Sequence, residues 1–188
     1  MVCHPHPIYG GTMHTKAFYR AAQGFNDAGL VALRFNFRGV GTSTGSHDEG
    51  HGEMDDVRAA LDWLEREYPH LPLVVGGFSF GSMVGLSVGV EDERVEGLLG
   101  MGLPVEMGQY DFSFLADTQK PTLVVQGEQD EFGSGAAVAE LIQPLGPHIT
   151  LVRVPDTDHF FESKLDDLRT VVGGYYGSGP GSRLMTGL

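Results

Sequence analysis

Leu73-Val74-Val75-Gly76-Gly77-Phe78-Ser79-Phe80-Gly81-Ser82-Met83-Val84-Gly85 is the stretch that decides how this chain folds. Behind Pro72, the short apolar, β-branched run from Leu73 to Gly76 predicts a buried strand. From about Phe80 onward, Gly81, Gly85 and Gly89 recur every fourth residue, so they share one face of a helix that can lie close to a sheet. The junction, Gly77-Phe78-Ser79-Phe80-Gly81, is a complete G-x-S-x-G. Such a turn strains the serine backbone and lifts its hydroxyl clear of the sheet, next to the free N–H groups of a helix start. Ser79 therefore reads as a nucleophile. A phosphate-binding loop would need lysine after Gly81, and Ser82 stands there.

The chain is long enough, at 188 residues with 41% hydrophobic, for one domain with a sizeable core. A net charge of −13 disfavours nucleic acid and anionic lipid as partners and suits a neutral or cationic small molecule. Cys3 is the single cysteine, which forbids an internal disulfide and fits a reducing, cytoplasmic setting. The start lacks the pattern of a signal peptide, and no run reaches membrane-spanning length. An oligomer is compatible with everything above.

Along the chain, Met1–His4 reads as the end of a strand that begins abruptly, as though earlier strands were missing. A proline- and glycine-rich loop follows, from His4 to Gly11. A helix is expected over Thr15–Ala28, a strand over Leu30–Phe37, a helix over Glu53–Tyr68 and a strand over Val95–Met101. Irregular chain over Leu103–Lys120 could wall a pocket. A strand over Pro121–Gly127, a helix over Ala136–Leu145, a strand over Ile149–Val154 and a helix over Glu162–Val172 complete the domain, residues 1–176. A loose glycine-rich tail is expected over 177–188. Gly39, Gly41 and Gly45 are spaced one residue too widely for a dinucleotide fingerprint. His47, Asp48, His51 and Glu53 lack metal-ligand spacing and read as a solvated loop before a helix N-terminus. Cys3, His4 and His6 read as loop packing rather than a metal site. No cofactor or metal is expected.

Apolar strands alternating with helices predict an α/β fold, a mostly parallel doubly wound sheet of about six strands. In such sheets ligands bind at the carboxyl ends of strands. The His4–Gly11 loop, Ser79, Asp130 and His159 each follow a different strand, so all four fall on one edge. Serine, acid, histidine is also a known triad order.

Four stretches carry a resemblance: His4-Pro5-His6-Pro7 with Gly10-Gly11; Phe35-Asn36-Phe37-Arg38-Gly39-Val40-Gly41-Thr42-Ser43-Thr44-Gly45; Gly77-Phe78-Ser79-Phe80-Gly81; and Gly127-Glu128-Gln129-Asp130 with Asp158-His159-Phe160-Phe161. Together they resemble the α/β-hydrolases, in particular a small lidless bacterial branch related to the dienelactone hydrolases, which use cysteine where Ser79 stands. The resemblance implies further strands ahead of the first one seen here, no lid domain, and a serine hydrolase of the carboxylesterase type. Ser79 would attack an acyl carbonyl, His159 would take its proton, and Asp130 would hold the imidazole. Asp156 and Asp158 are rival acids, but both adjoin His159, whereas Asp130 can approach from another strand. The oxyanion hole would use the Phe80 amide and one from the His4–Gly11 loop. Pro5 and Pro7 have no N–H, leaving His6, Ile8 and Tyr9, of which His6 is favoured by analogy. Small or short-chain esters are expected as substrates, with thioesters, lactones, peptides and acyl transfer left open, and a non-catalytic binding module as the rival.

Overall fold

The computed structural model describes residues 1–185. Five parallel strands form one sheet in the order β1 (Val2–Cys3), β2 (Leu73–Phe78), β3 (Val95–Met101), β4 (Thr122–Gly127), β5 (Ile149–Val154). The helices are α1 (Lys16–Asp27), α2 (His51–Glu67), α3 (Phe80–Glu91), α4 (Gly135–Ile142) and α5 (Leu165–Gly177). β2 is buried along its whole length because both faces are covered. Leu73 and Val75 face the layer made with α2, α3 and α4, where Val57, Leu61, Val84 and Val138 pack. Val74 and Phe78 face the layer made with α1 and α5. In α1 the residues Phe18, Ala21, Ala22 and Phe25 follow the helical repeat and are buried, which is why this segment turns its stripe onto the sheet. In α5 the Tyr176 hydroxyl, fully inside, donates to the Leu98 carbonyl at 2.8 Å.

The sheet has five strands, against about six expected, because Leu30–Phe37 does not join it as a strand. Leu30–Phe37 runs beside β1 but makes only one isolated bridge, Val2 with Arg34, and one amide bond, Val2 to the Leu33 carbonyl at 3.1 Å. β1 is two residues long and so has almost no ladder to offer. The Phe37 amide instead donates to the His4 side chain at 3.0 Å. α5 starts at Leu165, after a turn in which Phe161 takes a positive φ of 56°. Of the tail, Pro180–Met185 forms a 3₁₀ helix and Leu184 packs at the α5 layer; residues 186–188 lie outside the described residues. Among the described residues no helix is long and apolar enough to cross a membrane.

α3 lies close to the sheet along its glycine face. A Cβ on Gly81 would overlap the Cys3 and His4 carbonyls, and one on Gly85 would press on the Cys3 sulfur at 3.1 Å. This approach anchors the first turn of α3, and with it Ser79, against the carboxyl ends of β1 and β2.

Candidate active site

Ser79 links β2 to α3 with φ 56° and ψ −122°, a backbone conformation that a non-glycine residue rarely holds. The turn is held by the Ser79 amide donating to the Met101 carbonyl at 2.9 Å and the Ser82 hydroxyl donating to the Ser79 carbonyl at 2.7 Å. A Cβ on Gly77 would overlap the Gly81 carbonyl, so the turn requires glycine there. In the first turn of α3 the Ser82 amide bonds back to the Ser79 carbonyl at 2.9 Å, and the Phe80 amide directly follows the serine at the helix start.

His159 follows β5 and Asp130 follows β4. The His159 ring is almost wholly covered, and its Nδ1 lies 2.8 Å from Asp130 Oδ2. A carboxylate only accepts, so Nδ1 carries the hydrogen and Nε2 is the nitrogen free to work on a substrate. The ring stacks on Phe78 at 5.0 Å and meets Phe132 and Phe160 edge-on at 4.8 and 5.3 Å. Gly102, with φ +53°, gives the ring its floor: a Cβ there would come within 3.1 Å of His159 Cε1. Asp130 is 2% exposed, and its Oδ1 accepts the Phe132 amide at 2.9 Å. Asp158 is exposed and its Oδ1 accepts the Phe160 amide at 3.1 Å; Asp156 is exposed too.

One residue here escaped the sequence reading. Gln126, fully buried at the end of β4, donates from Nε2 to Asp130 Oδ2 at 2.7 Å and to the Gly133 carbonyl at 2.6 Å. Its Oε1 accepts the Leu103 amide at 2.7 Å. The signal was available: a lone glutamine ending an apolar central strand must find partners for every polar atom.

The His4–Gly11 loop lies across from these residues. His4 is buried, with Nδ1 against the Pro5 carbonyl at 2.7 Å and Nε2 accepting from Phe37; burial lowers its pKa to about 4, so it is neutral. Burial raises the Cys3 thiol to about 12. Both residues are fully buried, and His4 is engaged at both ring nitrogens; among the described residues there is no group of three or more His, Cys, Asp or Glu side chains that could hold a metal ion. His6 caps a 3₁₀ turn over Pro7–Tyr9: its Nδ1 accepts the Ile8 amide at 3.3 Å and its carbonyl accepts the Tyr9 and Gly11 amides.

The 47–53 segment departs in part from expectation. Asp48, Glu49 and His51 are exposed and lead into α2 as expected, but Glu53 is completely buried and its carboxylate ties the loop together, receiving the Gly50 amide at 2.8 Å, the Asp48 amide at 3.0 Å and His47 Nδ1 at 2.9 Å. The carboxylate has turned inward because a tight turn, Glu49 at φ 53° and Gly50 at φ 103°, directs those N–H groups at it.

Ser79, His159 and His6 all line one cavity of about 400 Å³. Tyr9, Tyr110, Phe132 and Phe160 supply most of its remaining wall, with Met107 and Thr15. Met107 and Tyr110 come from the irregular segment after β3, whose Glu106 accepts the Ser134 amide at 2.6 Å and so is braced against the Phe132 loop. An alpha/beta hydrolase domain model matches residues 9–171. The chain belongs to the alpha/beta hydrolase family.

Solved structures of this family agree closely. A lidless a/b serine hydrolase of Xanthomonas campestris is 42% identical, with a TM-score of 0.82, covering 94% of this chain and 78% of that one. An alpha-beta serine hydrolase homologue of Coxiella burnetii is 35% identical, with a TM-score of 0.82, covering 92% and 81%. A putative alpha/beta hydrolase of Agrobacterium tumefaciens is 34% identical, with a TM-score of 0.86, covering 99% and 84%. As in the lidless Xanthomonas member, no lid domain covers the strand ends among the described residues; the irregular segment after β3 and the His4–Gly11 loop wall the cavity there. That is the small lidless branch the sequence resembles.

Proposed function

We propose that this alpha/beta hydrolase is a serine carboxylesterase that cleaves small, uncharged acyl esters through an acyl-enzyme on Ser79. One observation carries the reading. A serine held at positive φ at a helix N-terminus shares a cavity with a histidine whose far nitrogen is bound to a buried aspartate. The relatives described as serine hydrolases support the same class.

In the first half-reaction Ser79 Oγ attacks the acyl carbon while its proton passes to His159 Nε2. Asp130 keeps the imidazole in the tautomer that can accept that proton and balances the charge it gains. The tetrahedral oxyanion is received by the amides of Phe80 and His6. The Ile8 and Tyr9 amides are already engaged by His6 itself, which leaves the His6 amide as the loop's donor. Collapse expels the alcohol, protonated by His159, and water then repeats the sequence on the acyl-enzyme. A cavity walled by tyrosine, phenylalanine and methionine, without a lysine, arginine or carboxylate, favours neutral acyl groups. A single buried cysteine suits a cytoplasmic, reducing setting.

A fluorophosphonate should add one label, mapped by peptide mass spectrometry to Ser79, and Ser79→Ala should lower kcat about 10⁴-fold or more in a folded protein. Active protein that takes no label, or takes it elsewhere, overturns the assignment. A panel of p-nitrophenyl esters of rising chain length, run beside thioesters and anilides, then sorts esterase from thioesterase and peptidase.

A further inference from the structure

Beside the proposed triad lies a second histidine–carboxylate pair. Glu53 accepts from His47 Nδ1–H and from two loop amides, so the imidazole is fixed at one nitrogen. The rest of the His47 ring packs on His6, with centroids 4.8 Å apart, and on Phe80, at 5.5 Å. His6 and Phe80 pack on each other at 4.8 Å. One ring therefore touches both residues assigned to the oxyanion hole. Loop folding alone does not need this, because the Asp48 and Gly50 amides already bind the carboxylate.

We propose that His47 and Glu53 are positioning residues for acyl transfer: the buried carboxylate fixes the His47 ring, and the ring sets the spacing of the His6 and Phe80 amides. The inference rests on the esterase reading above. Burial, and then the neighbouring His47 charge, hold His6 below the ordinary imidazole range, while Glu53 pulls the other way. A neutral His6, which burial favours first, keeps Nδ1 as an acceptor for the Ile8 amide and so preserves the cap that shapes the loop. Burial alone would push the Glu53 carboxyl up; hydrogen bonds from backbone amides, with the His47 charge, hold it down and ionised.

An oxyanion donor that is removed costs about 10²–10³-fold in kcat, so donors that are only misplaced should cost less. His47→Asn tests this, because the asparagine amide can still donate to Glu53 from about the place of Nδ1, while the ring contact with His6 and Phe80 is lost. The expected result is a kcat lowered about 10- to 100-fold, with KM within about threefold, since the donors act on the transition state. Exchange of the Tyr9 and Gly11 amides, both bonded to the His6 carbonyl, should quicken about tenfold or more, with β3 unchanged. Glu53→Gln should reproduce the kinetic change in weaker form. If the parent is labelled at Ser79 and His47→Asn keeps kcat within about twofold, this inference alone is overturned. The same holds if exchange quickens equally throughout the sheet, which would mark a purely structural role. A parent protein that takes no label at Ser79 sinks the esterase reading, and this inference with it.

Discussion

The two histidine–carboxylate pairs look alike at close range. His159 Nδ1 lies 2.8 Å from Asp130 and His47 Nδ1 lies 2.9 Å from Glu53, and both carboxylate side chains are fully covered. They differ in what they join. Asp130 and His159 are 29 residues apart and follow two neighbouring strands, so the bond between them ties together the ends of β4 and β5. His47 and Glu53 are six residues apart and tie a loop to the helix it enters. The second oxygen of Asp130 takes one amide of its own loop, while Glu53 takes two loop amides besides the imidazole. The pair joining two strand ends aims a ring into a cavity; the local pair stiffens a loop beside it. Identical chemistry serves placement in one case and rigidity in the other, and the scaffold behind each carboxylate decides which.

The comparison can be broken most severely at Asp130. Asp130→Asn keeps the shape but cannot balance an imidazolium, and kcat on a short ester should fall at least about 10²-fold, with circular dichroism unchanged. Gln126→Leu should cost about tenfold in kcat. Leucine fills the space yet removes the donor that orients Asp130, and leaves the Leu103 amide and Gly133 carbonyl without their partner. Two buried groups stranded in this way should also lower the unfolding free energy by about 2–4 kcal/mol, read by urea titration. Asp158→Asn, on an exposed carboxylate turned to the Phe160 amide, should change kcat less than about tenfold. If Asp158→Asn costs more than Asp130→Asn, the Asp130–His159 pair is not the catalytic one.

The smallest effect on rate should come from His4, at the base of the proposed oxyanion loop, and there the signature is acid stability. Its pKa is about 4 when folded against an ordinary 6.5, so the unfolded chain binds the extra proton. Its contribution is complete above about pH 6.5 and lost as the pH falls towards 4, at most about 3 kcal/mol. Urea midpoints measured across that window should fall less in His4→Gln than in the parent.

Much of this was legible in the chain because the signals were local or periodic. β3 and β5 begin and end where the apolar runs do. The four candidate loops could be gathered onto one edge by the rule that parallel strands share a direction. Leu30–Phe37 misled for a reason that composition cannot show: it has the residues of a strand, but its neighbour β1 is too short to pair with it. Glu53 misled because an acidic residue in the first turn of a helix is usually solvated, and only three-dimensional closure of the 47–50 turn brings it inside. Gln126 and Gly102 were hidden in another way. Their work is to support a neighbour, and nothing in a single sequence names which neighbour that is.

Ser79 carries one consequence for how such a protein can change. Holding a side-chain-bearing residue at φ 56° costs about 1–3 kcal/mol, a substantial share of the margin by which a domain of this size stays folded. Glycine would relieve that cost at once. If Ser79 is the nucleophile proposed above, selection for heat resistance alone would erode that position before the core, and resistance and turnover would have to be selected together for both to survive.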